Sequence, residues 1–206
     1  MERPGDEQGR AAQLRAADAV RALAGALVGH VNDGHVLSDI AERIDELTCR
    51  LTSGEPRDLR EAYRAWIAAG NNRASAILER AAGGPANPTA VPVVCRASDD
   101  GLVADVVIPA VFAGWPGMAH GGVVASILDD VLGQLATAVG GFAATARLEI
   151  EFRRPTPVER TLRIEARTAK REGRQIFLSG SILDGATELV AATGCWFTID
   201  GPGLLP

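Results

Sequence analysis

The residues with the most chemistry to offer lie in one stretch, His120-Gly121-Gly122 followed by Asp129 and Asp130. Their setting places the two glycines at the start of a helix, where the first backbone N–H groups lack intrahelical acceptors and the macrodipole is positive. Without a Cβ, that backbone can be approached closely by a substrate. Such amides suit a carbonyl oxygen that becomes an oxyanion, at about 3 kcal/mol per donor. Asp129 adds a carboxylate able to act on water, and its apolar neighbours Leu128 and Val131 predict partial desolvation. It lies two turns beyond the glycines, so the offset favours a site in which Asp129 works with the glycine amides of a second subunit. His120 reads as a loop-orienting imidazole in preference to a direct proton carrier.

A helix over about His120–Val139 must carry these groups. At 100° per residue, Val124, Ile127, Leu128, Val131 and Leu135 share one stripe, fit to meet a sheet. Gly122, Ser126, Asp129, Gly133 and Ala136 share the opposite face, where a wet helix would carry Glu, Lys or Arg. Small residues there predict close approach by another backbone, most simply the same helix of a second subunit, with Asp129 at the seam.

Strands are predicted around the helix, at about Val91–Ala97 and Leu102–Ile108 before it. After it come about Thr145–Arg153, Thr161–Arg171, Gln175–Leu183 and Thr187–Ile199. Leu148, Ile150 and Phe152 alternate with Arg147, Glu149 and Glu151, and Leu162, Ile164 and Ala166 with Arg163, Glu165 and Arg167, so each strand has one buried and one wet face. Turns are signalled at Ser98-Asp99-Asp100-Gly101, Arg171-Glu172-Gly173-Arg174 and Asp184-Gly185. The layout is α+β, with a helix packed on an antiparallel meander.

Composition changes near Gly83-Gly84-Pro85, dividing a helical extension (1–84) from the strand-rich domain (85–206). In the extension, Ala17, Val20, Ala24, Leu27 and Val31 form one helical stripe, and Val36, Ile40, Ile44, Leu47 and Leu51 a second. A third helical stretch opens at Asp58 and carries Leu59, Tyr63, Trp66 and Ile67. Ordinary core packing is the favoured reading of these stripes.

The 206 residues carry 21 basic and 26 acidic side chains, a net charge of -5 that offers no general field for nucleic acid. No apolar run reaches the roughly 18 residues of a membrane span, and the charged start lacks a secretory signal pattern. Cys49, Cys95 and Cys195 are odd in number and far apart, and with three histidines they give no metal-ligand spacing. There is no Gly-x-Ser-x-Gly elbow, phosphate loop or dinucleotide fingerprint. The expectation is a reduced, cytoplasmic protein that needs neither metal nor redox cofactor and binds neither nucleic acid nor membrane. Cys95 and Cys195, in apolar runs, read as buried small hydrophobes, and His30 and His35 as surface or helix-end residues.

The segment Ala119-His120-Gly121-Gly122-Val123-Val124-Ala125-Ser126-Ile127-Leu128-Asp129-Asp130 resembles the signature of hotdog-fold acyl-CoA thioesterases of the phenylacetate-pathway (PaaI-like) type. The likeness extends through Glu151-Phe152-Arg153-Arg154-Pro155-Thr156-Pro157 and the Arg171–Arg174 turn, covering about residues 88–200. It implies a curved antiparallel sheet wrapped around a long central helix, dimers or dimers of dimers with sites at the seam, and hydrolysis of an acyl thioester. Coenzyme A would then enter as part of the substrate. By the same resemblance Gly121 N–H polarises the thioester carbonyl, Asp129 is nucleophile or general base, and Thr145 on the next strand assists. Gly114 stands near the place where some relatives carry an Asn ligand to the carbonyl.

Trp115 and Met118 are placed to line an acyl pocket or to pack in the core. Gly122 belongs with the substrate-binding backbone. Arg153, Arg154, Lys170, Arg171 and Arg174 are expected to gather as a basic rim for the phosphates of coenzyme A or for an acidic carrier protein. Two other readings use the same residues: a non-catalytic acyl-thioester-binding sensor or scaffold, and a hydratase or dehydratase that pairs His120 with Asp129.

Overall fold

The computed structural model describes residues 4–56, 58, 61 and 79–199. Two helices come first, α1 (Pro4–Gly29) and α2 (Gly34–Thr52). Asp33 caps α2 by accepting the His35 N–H at 2.8 Å. The expected third helical stretch, with Leu59, Tyr63, Trp66 and Ile67, lies outside the described residues. His30 and His35 are exposed at the helix ends, as expected.

The packing expected of the N-terminal stripes is corrected by the chain itself. Ala17 is buried, but Val20, Leu27, Val31, Leu47 and Leu51 are exposed, and α2 buries none of its residues. Helical period reports which residues share a face. It does not report what that face meets.

Beyond residue 79 the chain builds β1 (Arg96–Ser98), β2 (Gly101–Val107), a hairpin of β3 (Ala113–Trp115) and β4 (Met118–Ala119), helix α3 (Gly121–Gly140), and then β5 (Ala143–Phe152), β6 (Thr161–Glu172), β7 (Gln175–Asp184) and β8 (Thr187–Thr198). The four long strands and α3 fall within a residue or two of the expected ranges. The first strand is shorter than expected. Val91 to Cys95 form no ladder; Val91 and Val93 are buried without one, and Val93 N–H donates to Gly83 O at 3.0 Å. An apolar β-branched run marks burial more reliably than it marks strand.

Six strands form one antiparallel sheet in the order β1-β2-β6-β7-β8-β5. Gly173 (φ 58°) and Gly185 (φ 59°) make the tight β6–β7 and β7–β8 turns, where a left-handed residue is required. Helix α3 lies across this sheet. Val124, Ile127, Leu128, Val131 and Leu135 pack with Leu162, Ile164, Ile176, Ile182 and Trp196 in one core. By length and hydropathy α3 could cross a membrane although no unbroken apolar run marks it; in this fold half of its apolar window is buried.

The small face of α3 has two fates. Over its second half it meets the chain's own sheet: Ala136 is fully buried, and a Cβ on Gly133 would lie 3.9 Å from Trp196 Nε1. Gly194 gives the indole room, since a Cβ there would come within 2.7 Å of the ring. The expectation of a partner helix along the whole face is therefore corrected. In the first half Gly122 and Ser126 stay exposed, and Asp129 is half-buried.

Candidate active site

Helix α3 starts from a tightly held loop. Pro116 and Gly117 (φ 78°) turn the β3–β4 hairpin, with Trp115 opposite Met118, as Pro-Gly does in a type II turn. Ala119 N–H donates to Thr156 O at 2.8 Å, Val158 N–H to Gly117 O at 3.2 Å, and His120 N–H to Phe112 O at 2.9 Å. The Arg-Pro-Thr-Pro segment thus works as a staple that fixes where α3 begins. Gly114 fits against His120, where a Cβ would be 3.1 Å from His120 Cα. The position matched to an Asn in some relatives is therefore filled here by close packing.

His120 is the N-cap of α3, and its Nδ1 accepts the Gly122 N–H at 3.0 Å. This is the loop-orienting role expected of it, and it makes the ring the neutral tautomer protonated at Nε2. Gly122 is corrected as a donor, because its amide is already used. Gly121 N–H has no acceptor among the described residues, and the Phe152 ring lies beside it, 3.4 Å from where a Cβ would be. One aimed amide is left at the positive end of a 20-residue helix.

Asp129 is half-buried, and its Oδ1 accepts the Thr145 hydroxyl at 2.8 Å. Strand alternation alone would turn Thr145 away with Arg147, Glu149 and Glu151. A bulge intervenes: Thr145 pairs with Trp196 but Arg147 with Cys195, leaving Ala146 as the extra residue. The added residue reverses the parity of the strand and aims Thr145 at α3, as bulges beside active sites do.

Asp130, one residue on, has a different use. Arg80 Nε lies 2.9 Å from Asp130 Oδ1, with both side chains largely buried (10% and 8% exposed), and Gln134 Nε2 donates to Oδ2 at 2.8 Å. Gly83 is required here, since a Cβ would fall 2.2 Å from Asp130 Oδ2. Sequence reasoning set Asp130 aside and missed Arg80, whose partner stands 50 residues away. Asp130→Ala removes a largely buried carboxylate that binds both Arg80 and Gln134, so it should cost about 3–5 kcal/mol, read as a lower urea midpoint.

Cys95 and Cys195 are half-buried rather than fully so, while Cys49 is exposed. Burial first, and then the nearby Asp130 charge, push the Cys95 thiol up to about 11. A thiol held protonated in the folded state stabilises the fold below the unfolded value near 9, and that contribution disappears as pH rises toward 11. At pH 8 the native protein is expected to label at Cys49 with a thiol-disulfide reagent and to spare Cys95, which should react only after unfolding.

The basic rim does not assemble within one chain. Arg153 is engaged by Glu151 and Glu188, which raise its pKa. Arg171 donates to Val139 O at 3.2 Å, at the far end of α3, roughly 30 Å from Gly121 by helical rise. Lys170 pairs with Glu172 over the Phe177 ring, and Arg174 donates to Thr198 O. Sequence distance from the helix could not show that the β6–β7 turn sits at the opposite end of the sheet from the β5 terminus. Arg154 alone of this set is near the Gly121 end with its guanidinium in no hydrogen bond or ion pair among the described residues. Trp115 is 75% exposed and Met118 half-buried against Pro157, so neither is core.

Beside the helix start is an open recess of about 410 Å³. Phe112, His120, Val123 and Ser126 form one side. Gly122 lines it as surface, and neither Trp115 nor Met118 takes part.

A helix laid across an antiparallel sheet, begun by His-Gly-Gly and followed by a Thr-held carboxylate, is a hotdog domain. Residues 116–191 match the family model described as the thioesterase superfamily. A solved structure described as a thioesterase superfamily protein is 27% identical, covers 90% of each chain and superposes with a TM-score of 0.77, so the likeness reaches well beyond the region that the family model matches. The acyl-coenzyme A thioesterase THEM4 of Bos taurus is 38% identical over 89 residues, 42% of this chain and 36% of that protein. THEM4 of Mus musculus is 35% identical over 89 residues, 42% of this chain and 38% of that protein. The matched region thus spans little more than a third of the length of these curated relatives.

Proposed function

We propose that this protein hydrolyses acyl-CoA thioesters at sites shared between two subunits, as a cytoplasmic enzyme of the phenylacetate-pathway type. The observation that carries the reading is the Thr145 hydroxyl, 2.8 Å from Oδ1 of Asp129, the carboxylate of a helix whose first amide has no acceptor among the described residues. The THEM4 relatives, named for acyl-coenzyme A hydrolysis, support the same substrate class.

The chemistry follows from those groups. Gly121 N–H polarises the thioester carbonyl and holds the oxyanion. Thr145 fixes one oxygen of Asp129, leaving the other to take a proton from water as that water attacks the carbonyl carbon. Collapse of the tetrahedral intermediate breaks the C–S bond, and the proton passes from Asp129 to the departing thiolate. In the nucleophilic variant of this route, Asp129 attacks first and water then cleaves the mixed anhydride. No metal or redox group is required by either.

Asp129 stands eight residues past Gly121, about 12 Å along the helix axis. One subunit cannot bring both to a single carbon, so the Gly121 amide of one copy serves the carboxylate of the other. The outer edge of β5 fits such an assembly: it is ten residues long and has no strand partner among the described residues. A long unpaired edge is a template for a second chain. His120 is occupied with Gly122, which argues against a His120–Asp129 pair of the hydratase type. Arg154 is the side chain available to a phosphate of coenzyme A.

Thiol release measured across a panel of acyl-CoA substrates, alongside sizing in solution, tests the reading. Turnover by a dimer or larger assembly is expected. Tight acyl-CoA binding without thiol release would instead favour the sensor or scaffold, and water addition to crotonyl-CoA the hydratase.

A further inference from the structure

The recess beside the start of α3 has a second wall, and it comes from the segment that precedes the sheet. Ala81, Ala82, Thr89 and Val91 line it together with Phe112, His120, Val123 and Ser126. Gly122 and Ser126, which line it from α3, belong to the same helical stripe as Asp129. Every side chain of that second wall is short, two of the four being alanine.

This segment is fixed in place at several points. Arg80 binds both oxygens of Asp130 on α3 and donates to Gly83 O at 3.2 Å and Val93 O at 3.3 Å. Arg21, from α1, donates to Asn87 O at 2.6 Å and Pro85 O at 2.9 Å. Asn87 Oδ1 accepts from both the backbone and the hydroxyl of Thr89. Ala86, Ala90, Val91 and Val93 are buried beneath it. Helix α1 also packs on the Ala110–Phe112 turn and so braces both sides of the recess. The wall is preorganised, as small-molecule pockets are.

We infer that residues 81–91 are the outer wall of the acyl pocket and that the short side chains of Ala81 and Ala82 set how large an acyl group the enzyme accepts. This rests on the proposed acyl-CoA hydrolysis, to which it adds the pocket and its gauge. A carbonyl held at Gly121 N–H leaves its acyl substituent beside Gly122 and the apolar flank of Val123 and Phe112. The thiol carrier departs toward solvent. The occupant is thus an apolar acyl group, with Ala82, half-buried, nearer the floor and Ala81, exposed, nearer the mouth.

Neither alanine is in the core, so larger residues can be introduced without unfolding the chain. In Ala82→Phe, kcat/KM for decanoyl-CoA and phenylacetyl-CoA is expected to fall tenfold or more, while acetyl-CoA stays within about twofold, since a few methylenes of pocket space are worth such ratios. Ala81→Leu should give a smaller shift in the same direction. Equal loss for every acyl group, or an unchanged profile in both variants, would overturn the assignment. Binding of S-ethyl-CoA and S-decyl-CoA, which have no scissile carbonyl, separates this claim from the catalytic one. If the parent protein cleaves no thioester, yet Ala82→Phe selectively weakens S-decyl-CoA, the wall stands and the hydrolase reading falls. If S-decyl-CoA binds both proteins equally, the wall falls whatever the turnover.

Discussion

Asp129→Asn is expected to lower kcat for the proposed acyl-CoA hydrolysis by about 10²–10⁴-fold while leaving the unfolding midpoint in place. The amide keeps the size of the carboxylate and an oxygen that can accept the Thr145 hydroxyl, so the 2.8 Å contact survives. What is lost is the lone pair that takes the proton from water, or the nucleophile itself. Stopped or steady-state thiol release reads the rate, and a urea titration of the same preparation reads the fold. The neighbouring substitution supplies the contrast: Asp130→Ala should lower the midpoint, because its carboxylate neutralises Arg80 in the interior. Two adjacent aspartates therefore separate activity from stability. Unchanged turnover in folded Asp129→Asn would remove the carboxylate from the mechanism.

Gly121→Pro should cost kcat about 10²–10³-fold, the usual penalty for losing one oxyanion donor. Proline is well suited to the first position of a helix, where the missing N–H had no partner. The preceding residue tolerates it too, since His120 already has φ -64° and ψ 132°, the extended region that proline imposes on its neighbour. The variant removes the N–H from an intact helix and adds a ring beside Phe152, so Gly121→Ala, which adds a Cβ and keeps the N–H, is the control for bulk. Gly121→Pro also tests the shared site. When Gly121→Pro and Asp129→Ala proteins are unfolded together in equal amounts and refolded, half of the dimers are mixed. Each mixed dimer has one site with both groups intact, so about a quarter of the parent activity should return. Two silent parents and a silent mixture would place both groups in one chain and refute the seam.

The amount of this that could be read from residues alone varies from element to element. The α3 stripe Val124, Ile127, Leu128, Val131 and Leu135 was legible because burial on one face leaves a 3.6-residue period in the letters. The four long strands were legible for the corresponding two-residue reason. His120 as a loop organiser, and Asp129 with Thr145 as partners, came from the motif and its likeness to known hotdog enzymes. Thr145 lies on the wrong parity for its role, and only the extra residue at Ala146 corrects it. A bulge adds one ordinary alanine and leaves no pattern behind.

Local periodicity and the helix start were set by the chain sequence, which also pointed to Asp129 as the candidate carboxylate, since these depend on neighbours within a turn or a strand. Tertiary structure decided whatever depends on residues far apart in the chain. It sent the Arg171 turn to the opposite end of α3 from Arg154, buried Asp130 against Arg80, and gave half of the small helix face to Trp196. It also gathered Ala81, Ala82 and Phe112 around one open recess. The physical reason is that patterning encodes which face of an element is apolar, whereas the partner of that face is chosen by how all the elements close on one another.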